Sequence, residues 1–177
     1  NFRDKVKITG SKENEIYLSF LSARKTISDN IREVREKATN LTVSGGDSTM
    51  LADMKKEYFQ MENQDRIIIK DVIDKNKGTF METVCKVILT PRIEDFPQLK
   101  DKYPDEGSFL KEHYFDHIDF ANEEITRGDM LLQKYFTYFQ AFSEKSPEAY
   151  LSTVNRLLKI SSQNAKVSEM THLYLLD

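Results

Sequence analysis

At 177 residues, 31% of them charged, the chain is long enough for one domain with a real core, and no apolar run approaches the length of a membrane helix. A net charge of −3 with both signs interspersed provides no basic block of the kind nucleic-acid binding needs, and six Gly with four Pro are too few for a many-turned β protein. The single cysteine, Cys85, excludes an internal disulfide and leaves the redox compartment unreadable.

The chain opens on Asn1 rather than Met and is expected to be a processed or excised piece of a longer product. Residues 5–9, Lys-Val-Lys-Ile-Thr, alternate polar and apolar, which suits a short strand or an extended lead-in over 1–10. A helical domain is expected over 11–177. Ser11 is a good N-cap for a helix from about Lys12 to Leu41. Its apolar positions, Ile16, Phe20, Ala23, Ile27, Ile31, Val34, Ala38 and Leu41, step by three and four, a near-heptad stripe. Thr42-Val-Ser-Gly-Gly-Asp47 predicts a turn, with Asp47 or Ser48 capping the next helix. That helix, about 49–75, carries Leu51, Met54, Tyr58, Met61, Asp65, Ile68 and Val72. Two long helices joined by a short turn should fold back as an antiparallel hairpin. Asp65 interrupts the seam as a register-setting or edge polar group.

Asn76-Lys-Gly78 breaks the chain, and Thr79 is expected to cap a short helix over 80–89 in which Cys85 is buried as a small hydrophobe. Thr90 to Pro97 predicts an extended connector, because each proline biases its predecessor away from helix. Ser108 is expected to cap the helix that opens the most distinctive stretch, Phe109 to Ile125. A loop should cover 119–129. An aromatic helix follows over 130–142, with burial expected on more than one side. Ser146-Pro147-Glu148 starts another helix, and a last one spans about 165–176. The expected fold is therefore all-α: a long antiparallel hairpin packed with several shorter helices, with room for a short N-terminal strand.

His113 and His117 are spaced i, i+4, so a helix would put them on one face, with Glu112, Asp116 and Asp119 nearby. Two such histidines are the start of a zinc site. However, position 114 is Tyr where a zincin needs Glu, and His172 is the only other histidine. Asp116, Asp119, Glu123 and Glu124 could form a carboxylate pair for acid–base work, but nothing places two of them across a cleft. Such acids more often cap, solvate or pair with Arg127 and Lys134. Asn40-Leu-Thr42 matches a glycosylation acceptor, a pattern frequent by chance. No catalytic, cofactor-binding or metal-binding residue is assigned on these patterns.

His113-Tyr-Phe-Asp-His-Ile-Asp-Phe120, followed by an acidic loop and Leu131-Leu-Gln-Lys-Tyr-Phe136, resembles the N-terminal helical domain of the thioredoxin-like (AhpC/TSA, TlpA-type) thiol-disulfide oxidoreductases of Bacteroidetes. The opening Lys7-Ile-Thr-Gly-Ser-Lys-Glu-Asn-Glu15 and Ser146-Pro-Glu-Ala-Tyr150 are similar too. The resemblance implies an exported protein, often a lipoprotein on the periplasmic side, whose redox chemistry lies in a Cys-x-x-Cys motif of a following domain. That motif is absent here, so the resemblance implies a non-catalytic portion that positions or shields the redox domain of the same chain, or contacts a protein partner or a second copy. The apolar residues of the last helix, including Leu173 and Leu176, are where the following domain is expected to pack. The alternative is a stand-alone helical module that binds a protein or ligand.

Overall fold

A computed structural model describes residues 10–45, 47–143 and 146–176. The strand expected over 5–9 lies outside the described residues. Among those described, the chain is all-helical: α1 Lys12–Val43, α2 Ser48–Lys75, α3 Phe80–Ile88, α4 Glu106–His113, α5 Met130–Phe142, α6 Pro147–Ser161 and α7 Ala165–Leu176. The chain divides into two compact units, residues 1–81 and 82–177, and the boundary falls inside α3.

The first unit is the expected hairpin. Ser11 caps α1 by accepting from the Asn14 N–H at 3.4 Å. The helix closes where the Ser44 N–H donates to the Asn40 carbonyl and Gly45 takes φ of +68°, a left-handed conformation that Gly adopts without steric cost. Asp47 then caps α2, accepting from the Thr49 N–H at 2.7 Å. The two helices pack along one another. Phe20, Val34 and Ile69 are buried, while the seam residues Ile16, Ile31, Met54 and Ile68 are only half-buried. This is the expected limit of a two-helix unit, in which each seam residue has one neighbouring helix to cover it.

Asp65 is the seam's polar group, and its partner is Arg24 of α1. The guanidinium donates from Nε at 2.5 Å and from Nη2 at 2.6 Å to the two carboxylate oxygens. The same guanidinium lies 5.0 Å from the Phe20 ring centroid. A two-pronged bond of this kind forms at one axial offset of the helices, so it selects the register. Farther along, the Tyr58 hydroxyl accepts from Arg35 across the seam and donates to Glu62 of its own helix.

The second unit has one core, built from Val87, residues 114–125, α5, Leu157 of α6 and Val167 of α7. Cys85 is fully buried, as its apolar neighbours implied. Ser146 caps α6 by accepting from the Ala149 N–H at 3.2 Å, with Pro147 at the first helical position. The aromatic helix α5 departs from expectation. Tyr135 and Tyr138 are buried, and Phe139 and Phe142 pack beside them, so four aromatics share one face. Phe136 alone points outward, 51% exposed. Positions 135, 138, 139 and 142 fall within one helical face at 100° per residue, whereas 136 does not.

Three local expectations are corrected. The connector after Thr90 is not simply extended: it forms 3-10 turns at Ile93–Asp95 and Pro97–Leu99. Pro97 has the φ that the first position of such a turn needs, and its predecessor Phe96, at φ −128° and ψ 70°, stays out of the helical region that proline disfavours before it. The cap of α4 is Asp105, not Ser108: the carboxylate accepts from the Ser108 N–H at 2.7 Å, one turn earlier than expected. That bond holds the Asp105 carboxyl below its ordinary range. The loop over 119–129 contains a 3-10 turn, Glu123–Thr126, capped by Asn122.

Candidate functional site

The distinctive stretch begins in α4 and leaves it abruptly. The helix ends at His113, and residues 114–117 continue as turns. His113 and His117 therefore do not share a helical face, which corrects the i, i+4 reading. The break follows from what comes next: Tyr114, Phe115, Ile118 and Phe120 are all buried. A continued helix would carry 114, 115, 118 and 120 around more than half its circumference, and one core cannot cover that. A turn delivers all four to the same core.

The two histidines nevertheless approach the same ring from different backbone positions. Phe96, from the connector, lies 6.1 Å from His113 and 5.8 Å from His117, centroid to centroid. Phe109, fully buried, stacks on His113 at 4.8 Å and packs on Phe96 at 5.6 Å. Tyr103 meets both Phe109 and His113 edge-on. The connector and α4 are thus joined through a packed aromatic cluster.

Polar bonds close the cluster's rim. His113 Nδ1 lies 2.6 Å from the Asp116 carboxylate, and Nε2 lies 2.8 Å from the Tyr103 hydroxyl. That hydroxyl also donates to Glu112 at 2.5 Å. Tyr103 has one proton, so it cannot donate to His113 and Glu112 together. The Tyr103 bond is the main cause that holds the Glu112 carboxyl below its ordinary range, with the charges of Lys102, His113 and Arg156 adding to it. His117 Nε2 lies 3.6 Å from Asp95 of the connector.

The end of α4 is held from the other side as well. The Tyr138 hydroxyl donates to the Lys111 carbonyl at 2.7 Å, and Arg156 of α6 donates to the Lys111 and Glu112 carbonyls. These are carbonyls that a helix end leaves without intrahelical donors. Burial raises the Tyr138 phenol above its ordinary range, opposed by Arg156. Lys134 of α5 does the same service for α3: its ammonium donates to the Leu89 carbonyl at 3.1 Å and to Thr90 Oγ1 at 3.2 Å. It also lies 4.4 Å from the Tyr114 ring centroid.

Chemically, Asp116 and His113 have the geometry of an orienting carboxylate and a base. The imidazole's second nitrogen is committed to Tyr103, and the ring stacks on Phe109. The arrangement acts as a clamp between connector and helix. Of the other candidate acids, Asp119 caps its own turn by accepting from the Ala121 N–H, Glu123 pairs with Lys166 of α7 at 3.5 Å, and Glu124 pairs with Arg127 at 3.3 Å. Among the described residues no three His, Cys, Asp or Glu side chains gather as a metal site requires. His172 lies apart on α7, its Nδ1 2.7 Å from the Ser168 carbonyl. Asn40 of the glycosylation pattern is exposed near the end of α1.

Sequence reasoning missed Tyr103, Phe96 and Arg156. They lie 10, 17 and 43 positions from His113, and no spacing rule links them to it.

A family model described as a domain of unknown function, DUF5106, matches residues 60–176. It takes in the second half of α2 and everything from α3 to α7. No curated protein and no solved structure resembles the chain closely enough to count as a match.

Proposed function

The chain belongs to the DUF5106 family, and from that premise we propose that it is a non-catalytic helical accessory domain of a periplasmic or cell-envelope thiol-disulfide oxidoreductase. Its role is to position or shield a thioredoxin-like domain of the same polypeptide. The observation that carries this reading is the exposed apolar surface of the last two helices. Tyr150 and Leu151 on α6 are 54% and 58% exposed, and Leu173 and Leu176 on α7 are 60% and 83% exposed. These side chains are where the reading places the contact with the following domain. Two further features support the reading. The residues of the resemblance, Tyr114, Phe115, Ile118 and Phe120, work as core, which suits a scaffold. Cys85, fully buried, is a poor thiol for exchange, which suits a portion that does not itself exchange thiols.

The test compares the product of the whole reading frame with the isolated chain in an insulin-disulfide reduction assay. The full product is expected to be longer than these 177 residues and active, and the isolated chain inactive. Leu173→Asp with Tyr150→Asp is expected to change the activity of the full product while leaving the helical content of the isolated chain unchanged. A reading frame with no thioredoxin-like domain would sink the proposal and leave the stand-alone binding module in its place.

A further inference from the structure

The first unit carries a groove that the accessory reading does not use. It lies between α1 and α2 near the open end of the hairpin, with a volume of about 660 Å³. Its floor is apolar: Ile16 and Phe20 from α1, Ile68 and Val72 from α2. Lys12 and Glu15 stand on its α1 side and Asp71 on its α2 side. Ile67, also on the α2 side, is 68% exposed beside this apolar floor.

We propose that this groove is a self-association surface and that its occupant is a second copy of this chain, docked by a two-fold axis. Two observations select a second copy over another partner. First, the surface holds both a knob and a hole. Ile67 projects beside the floor formed by Ile16 and Ile68, and a two-fold lets each copy's Ile67 enter the other's groove. Second, the charges are self-complementary. Lys12 and Glu15 have opposite signs and lie one turn apart, and neither makes an ion pair with a described residue, whereas Asp71 is already held by Lys75 at 2.8 Å. A two-fold axis pairs each Lys12 with the partner's Glu15 and leaves no charge over. Two hairpins joined in this way make four helices, which close the sides that two helices leave open.

The groove runs from Lys12 to Ala23, about 18 Å of helix, which suits a small interface. Sedimentation equilibrium of the 177-residue chain from about 1 to 500 µM is expected to show a monomer–dimer equilibrium. Ile67→Glu should weaken it at least about tenfold without changing the helical circular dichroism, because the side chain is exposed in the monomer. Lys12→Glu and Glu15→Lys should each weaken it, and the double exchange should restore it. A chain monomeric throughout, a dimer indifferent to Ile67→Glu, or a double exchange no tighter than either single one would overturn the proposal.

Discussion

Tyr135 and Thr171 join α5 to α7 inside the second unit, and both are fully buried. Their hydroxyl oxygens are 3.0 Å apart. The Thr171 hydroxyl donates to the Val167 carbonyl at 2.8 Å, which spends its single proton. Tyr135 must therefore be the donor and Thr171 the acceptor. This makes the two deletions unequal. Tyr135→Phe leaves Thr171 with its own donated bond and removes one acceptor contact, a loss of about 1 kcal/mol. Thr171→Val keeps the shape but strands a buried phenol proton, which costs about 2–3 kcal/mol. The double variant strands nothing and should lose about 1–2 kcal/mol less than the two single losses summed. Urea denaturation followed by circular dichroism, with a common slope, measures all three. The proton assignment fails if Thr171→Val costs no more than Tyr135→Phe, or if the losses simply add. The same pair makes a prediction in alkali. Burial pushes the Tyr135 phenol up to about 12, against an opposing bond to Thr171. The unfolded chain loses this proton near pH 10, while the native state keeps it to about 12, so the native state holds more protons in that window. Its contribution, on the order of 3 kcal/mol, is complete below pH 10 and disappears as the pH rises through about 12. Tyr135→Phe should flatten that part of the stability profile.

Phe109→Ala removes the ring that stacks on His113 and packs on Phe96, at a fully buried position, and should cost about 3–4 kcal/mol. The His113 ring protons should also lose their ring-current shift in an NMR spectrum; an unchanged shift would mean that the two rings do not stack in solution. In the hairpin, Asp65→Ala leaves the Arg24 fork partly buried without its carboxylate and should cost about 1–3 kcal/mol in urea denaturation. A loss below about 0.3 kcal/mol would show that the pair behaves as an ordinary solvated surface ion pair and does not set the register.

The fold was legible in the sequence wherever its signal is local and repeats. The near-heptad stripes of α1 and α2, the Gly45 turn and the Ser146-Pro147 start each depend on residues within a few positions of one another. Backbone geometry turns such spacing directly into helix, turn and cap. The same locality explains where the reading failed. His113 and His117 have helical spacing, but the helix ends between them because four core residues pull the backbone into a turn. Asp105 and Ser108 are both good capping residues. Spacing alone favours neither, and in the structure the Asp105 carboxylate accepts from the Ser108 N–H.

By itself, then, the sequence determined an all-helical chain with a long hairpin, its caps and its buried cysteine, because these follow from periodicity and side-chain chemistry along a few residues. Only the tertiary structure decided what the polar groups do. Asp65 became a register pin because Arg24 lies across the seam, and His113 became a clamp because Tyr103, Phe96 and Phe109 surround it. Lys134 became a cap for the end of α3 because that helix ends beneath it. In each case the partner lies at a separation that no local rule constrains, and packing of the whole unit brings the two together.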